Sequence, residues 1–120
     1  MGLYSYFLNF TQEEYGNKIL KRHEVEKWLE NIMIAVVDIS KVIVSSRKKL
    51  IPETYRESVS KAVQILKLPN EFVDKFEPWI KLRNIITHEY LDIKWKKISN
   101  FIQNSEPYLQ KFIAAVKSSI

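Results

Sequence analysis

Eight residues, Arg83-Asn84-Ile85-Ile86-Thr87-His88-Glu89-Tyr90, place a permanent cation, an amide, a titratable imidazole and a phenol in one short stretch. They interrupt an apolar run, with Phe72, Val73, Phe76, Trp79, Ile80 and Leu82 before them and Leu91 and Ile93 after. Polar groups inside a packing surface cost free energy unless something pairs with them, so this interruption is informative. Histidine titrates near neutrality and can take or give a proton. Arginine does not titrate at working pH, but it holds a phosphate and stabilises charge growing on it. Such a pair suits internal transesterification of RNA. One group removes the 2′-hydroxyl proton, another protonates the leaving 5′-oxygen, and no metal or cofactor is required.

On an ideal helix the five-residue step from Arg83 to His88 turns the chain by about 140°, so the two do not share a face. They meet at one substrate if the helix ends near His88 or if a second copy of the chain completes the site. A two-fold homodimer with this segment at its axis would gather two Arg83 and two His88. The residue types also fit a plainer role, since an Arg and a His near a helix end are common capping groups. By type alone, Asn84 reads equally well as a packing amide and Tyr90 as a core aromatic.

The elements that must position this stretch are helical. A short aromatic helix is expected over residues 3–10, followed by a capping box at Thr11-Gln12-Glu13-Glu14, with Phe10 and Tyr15 as its hydrophobic staple. Asn17 is placed to cap a long second helix from about Lys18 to Lys49, where Val25, Trp28, Leu29, Ile32, Val36, Ile39 and Ile43 recur at helical spacing. Ile32 to Val44 is apolar nearly all round, which marks a central helix. Asp38 is the exception in that run, and a carboxylate there needs a cation; Arg83 is the expected partner, directly or through one water. A third helix starts near Glu53 or Thr54. A fourth, capped by Asn70, carries the Arg–His stretch and should kink at Pro78. The last spans about Asp92 to Ser118 and should bend at Pro107, with Ser105 as a local cap. The expected fold is one all-α domain over 1–120, an antiparallel bundle of four to five helices.

Composition agrees with helices: 46% of the 120 residues are apolar, and only two glycines and four prolines occur. The absence of cysteine removes disulfides and thiol chemistry, and two distant histidines argue against a zinc site. A net charge of +5 is compatible with a polyanionic partner without requiring one. Lys94-Trp95-Lys96-Lys97 could touch an RNA backbone or form the wet face of the last helix with Trp95 turned inward. His23, among charged neighbours, reads as a solvated or interface side chain. With no signal-peptide pattern and no membrane-length apolar run, the expectation is a cytoplasmic protein without membrane contact.

Arg83, His88 and Tyr90 together resemble the R-x4-H-x-Y motif of HepT, within the HEPN superfamily of helical ribonucleases. Val25-Glu26-Lys27 through Val37-Asp38-Ile39 resembles that family's second helix, and Ile51-Pro52-Glu53-Thr54-Tyr55-Arg56-Glu57 is similar to its next connection. Lys81 stands where relatives often carry Gly. The resemblance covers about residues 18–118 and implies a HEPN-like, dimeric, metal-independent endoribonuclease toxin acting on RNA. Its implied partner is an MntA-like minimal nucleotidyltransferase antitoxin that adenylylates the motif tyrosine. Arg83 and His88 would be catalytic, Asn84 the accompanying polar residue and Tyr90 the modified one. Some relatives instead serve as non-catalytic nucleotide- or substrate-binding partners of a nucleotidyltransferase. The dimer interface is expected to use exposed aromatics of the second and fourth helices and the Tyr4-to-Phe10 segment.

Overall fold

The computed structural model describes the backbone of residues 2–85 and 91–119 and the side chains of residues 4–82 and 92–119. The described residues form six helices and no strand: α1 (Gly2–Leu8), α2 (Gln12–Asn17), α3 (Ile19–Ser46), α4 (Tyr55–Ile65), α5 (Glu71–Ile85) and α6 (Leu91–Ser119). The four longer helices are the expected all-α bundle, and two short helices lead into it.

Local chemistry sets most of the boundaries. At α2 the capping box forms as expected: Glu14 N–H donates to the Thr11 hydroxyl, and the Glu14 carboxylate accepts from the Thr11 N–H. Asn17, expected to cap the next helix, is instead the last residue of α2. Lys18 alone separates α2 from α3 and offers no side-chain cap. The reason lies one turn into α3, where the Arg22 guanidinium donates to the carbonyls of Tyr15 (3.0 Å) and Gly16 (3.2 Å) and satisfies the end of α2. The Lys21 ammonium lies 2.9 Å from Glu14; this hydrogen bond holds the Glu14 carboxyl below the usual carboxylate range and raises Lys21 in return.

Helix α3 stops at Ser46, three residues short of the expected Lys49. Lys48 adopts a left-handed φ of 57°, its N–H donates to the Ser45 carbonyl and that of Lys49 to Val44. The same closure ends α4, with Lys67 at φ 58° and Leu68 N–H donating to Val63. Both are Schellman closures with lysine where glycine is usual. Thr54 caps α4 by accepting the Glu57 N–H. Pro78 and Pro107 lie inside α5 and α6, and each helix continues through its proline.

Helix α3 is central as expected, packing against α2, α4, α5 and α6. It is not buried all round, however: Asn31, Ala35, Asp38 and Val42 form an exposed stripe at three- and four-residue spacing. The face of α4 toward the core is made of Ser58, Val59, Ala62 and Val63, and α3 contributes Ser40 to the interior. Small side chains there let the two backbones approach closely. Around Phe101 the core is aromatic: its ring lies 5.3 Å from Trp28, 5.7 Å from Trp79 and 6.3 Å from Tyr4. Trp28, Phe72, Phe76, Trp79, Tyr4 and Phe7 are all buried within the chain. The aromatics expected at a dimer interface are therefore internal packing, with Tyr6 and Leu8 exposed large residues among the described side chains of α1.

Ser105 is not a cap. Its hydroxyl donates to the Phe101 carbonyl (2.6 Å), which leaves its oxygen to accept from the buried Tyr4 hydroxyl. Burial pushes the Tyr4 phenol up to about 12, well above its ordinary value near 10. A raised phenol pKa contributes stability that is complete below pH 10 and falls as pH climbs from about 10 to 12, because only the unfolded chain has then lost that proton. Tyr4→Phe should lower stability at neutral pH by about 1 kcal/mol, or roughly 3–5 °C in Tm. It should also flatten the fall of Tm across this alkaline window; an unchanged alkaline slope would contradict the assignment. Lys67→Gly should raise stability by about 0.5–1 kcal/mol in urea melts, because the left-handed position then carries no Cβ penalty.

Candidate functional site

Helix α5 is anchored from both sides before it reaches the Arg–His stretch. On one side the Arg56 guanidinium of α4 pairs with Glu77, which also takes the Lys81 ammonium at 3.0 Å one turn along. On the other side Trp79 packs on Phe101, and its indole N–H donates to the Asn100 side-chain oxygen at 3.1 Å. Phe72 and Trp79 both meet the Tyr108 ring, and Phe76 meets Phe112. Phe72, early in α5, meets Tyr108, and Trp79, further along α5, also meets Phe101 and Asn100, which lie earlier on α6. The two helices therefore run antiparallel.

Arg83 and Asn84 lie in the last turn of α5, their side chains outside the described residues, and His88 and Tyr90 fall between the described ends of the two helices. Asp38 is exposed on α3, outside the interior its apolar neighbours implied. His23 is exposed, as its charged surroundings indicated. Trp95 turns inward and packs on Phe10 and Tyr15 at 5.8 and 5.6 Å, which leaves Lys96 and Lys97 exposed.

Beside the end of α5 opens a cleft of about 430 Å³ lined by Pro78, Trp79, Lys81, Leu82, Lys96, Lys97 and Asn100. Its floor is apolar and its rim carries three ammonium groups. Leu82, the residue before Arg83, forms part of that floor. Sequence reasoning had not assigned Lys81 or Asn100 to a site, although Lys96, Asn100 and Asn104 recur every four residues and mark one polar face of α6. Among the described residues no three His, Asp or Glu side chains gather in a way that could hold a metal ion. No helix among them is long and apolar enough to cross a membrane.

A family model described as Ribonuclease HepT-like matches residues 3–116. The chain belongs to this HepT-like ribonuclease family. That span takes in all six helices, the short α1 and α2 included, so the two N-terminal helices are part of the family fold. No curated protein and no solved structure matches the chain significantly. Within the HepT-like frame Arg83 occupies the last turn of one helix of an antiparallel pair.

Proposed function

We propose that this HepT-like chain acts over 1–120 as a single domain and is a metal-independent endoribonuclease toxin, working as a homodimer. What supports the reading is the family match across 3–116 together with an unbroken Arg83, His88 and Tyr90 set in the sequence. His88 serves as the proton-transfer group at the 2′-hydroxyl or the leaving 5′-oxygen, and the second copy supplies the complementary His88. Arg83 holds the scissile phosphate and stabilises charge on it, with Asn84 as an accompanying hydrogen-bonding group. Asp38, from its exposed position on α3, orients Arg83 directly or through one water.

The decisive measurement is cleavage of RNA by the purified chain in the presence of a chelator. His88→Ala should lower the rate by at least about 100-fold, the lower end of what proton transfer contributes. Arg83→Ala should cost on the order of 100- to 1,000-fold, as loss of an electrostatic stabiliser does. Light scattering at micromolar concentration should show a dimer. Cleavage that needs added metal, survives in His88→Ala, or comes from a monomer would refute this mechanism. A folded dimer that binds RNA and never cuts it would instead favour a non-catalytic partner of a nucleotidyltransferase.

The same reading makes Tyr90 a switch operated by an MntA-like nucleotidyltransferase antitoxin. The phenol oxygen attacks the α-phosphorus of ATP, the α–β bond breaks, pyrophosphate leaves, and the phenol proton passes to solvent. A tethered phosphodiester two residues from His88 would then neutralise Arg83 and occupy the place of the substrate phosphate. Incubation with the nucleotidyltransferase and ATP should add one AMP to the peptide containing Tyr90 and abolish cleavage. Tyr90→Phe should stay active under the same treatment. Added mass on another residue would remove the switch from Tyr90.

A further inference from the structure

Resting on the ribonuclease reading, we infer that the cleft between α5 and α6 is a subsite for single-stranded RNA, holding one unstacked base on its apolar floor and the flanking phosphates on Lys96 and Lys97. Four observations carry this. The floor of Trp79, Leu82 and Pro78 is apolar and concave, and the volume of about 430 Å³ lies in the range of small-molecule sites, roughly 300–1,000 Å³. A base has such a flat apolar body and favours an apolar or aromatic seat. The rim is cationic, and the charges differ in availability. Lys81 is held by Glu77 at 3.0 Å, whereas Lys96 and Lys97 have no ion-pair partner among the described residues.

The third observation is chemical. Asn100 spends its carbonyl oxygen on the Trp79 indole N–H, a group that can only donate. The amide is thereby fixed in orientation, and its NH2 group is left uncommitted, a donor suited to a phosphate oxygen or a base carbonyl. The rim therefore offers donors and cations together, which matches a phosphodiester chain and mismatches a cationic or purely apolar occupant. The fourth is position. Leu82 lies on the floor and Arg83 is the next residue, in the last turn of α5, so a strand seated in the cleft lies beside the helix end that carries Arg83. Duplex RNA would present no free base to the floor, since its bases are stacked and paired.

The test is binding, independent of turnover. The full-length His88→Ala chain is titrated with a fluorescein-labelled single-stranded oligoribonucleotide, and anisotropy is followed across KCl concentrations. Lys96→Gln/Lys97→Gln should weaken binding at least about 10-fold at low salt. It should also reduce the slope of log K against log salt by about 1.4, two phosphates at about 0.7 each. Asn100→Asp keeps an acceptor for the indole and so preserves the Trp79 contact, but places an anion on the rim; it should also weaken binding at least about 10-fold. Lys111→Gln, exposed on α6 away from the cleft, should match the parent. An oligomer with one abasic position per few nucleotides should bind less tightly than the intact one, and duplex RNA should compete poorly. The proposal is overturned if both cleft variants bind like the Lys111→Gln control, if duplex RNA competes as well as single strands, or if the lysines affect only association with an acidic protein partner. Should the parent chain fail to cleave RNA while these binding losses appear, the catalytic reading falls and the subsite stands. Should cleavage occur with binding unmoved by the variants, the subsite alone falls.

Discussion

Phe101 is the point on which the arrangement of the bundle turns. Its ring is fully buried, and rings from three other helices close on it: Tyr4 of α1, Trp28 of α3 and Trp79 of α5. Trp28 and Trp79 meet it edge to face and Tyr4 stacks on it; aromatic contacts of these kinds add about 0.5–1.5 kcal/mol each beyond the area they bury and, more to the point, fix relative orientation. Trp79 transmits that orientation outward. It touches Phe101 on the inside and hydrogen-bonds Asn100 at the surface, which sets the register of α5 along α6. Arg83 stands one helical turn beyond Trp79, and its backbone position is inherited from that single aromatic seat.

A second constraint acts from the opposite flank. Arg56, in the connection-and-helix segment that resembles the family's Pro-Glu-x-Tyr-Arg-Glu stretch, pairs with Glu77, and Glu77 also holds Lys81. The pairs are partly exposed, so their contribution to overall stability is small. Their value is geometric: they tie α4 to the half of α5 that leads into the Arg–His stretch. Two neighbouring residues thus act on two helices, Thr54 capping α4 and Arg56 bracing α5.

Features decided within one turn of chain were legible in the sequence. The Thr11 box follows from residue type and spacing alone, and α4 begins at Tyr55, within two residues of the start expected near Glu53 or Thr54. What depended on distant partners was not. Asn17 is a good cap by type, yet Arg22 reaches back to the carbonyls of α2 and moves the boundary past it. Asp38 has apolar neighbours in sequence, but a helix as long as α3 always leaves one stripe uncovered unless another element lies over it. The left-handed lysines at 48 and 67 carry no glycine to announce them. For the site, the Arg83 and His88 types were legible as chemistry. The cleft beside them was not, because Lys81 and Asn100 become neighbours only when two helices from separate parts of the chain pack together.

The contact between Tyr4 and Ser105 joins positions 101 residues apart, nearly the whole length of the chain. Helix α1 has only seven residues and cannot persist alone; its two inward aromatics need α3 and α6 together. During synthesis from the N-terminus at about 5–20 residues per second, some 5–20 s separate the making of Tyr4 from that of its partner. Over that interval the first segment of the chain has no completed seat. Helix α1, made before α3 and α6, therefore gains its complete seat only once α6 has been made.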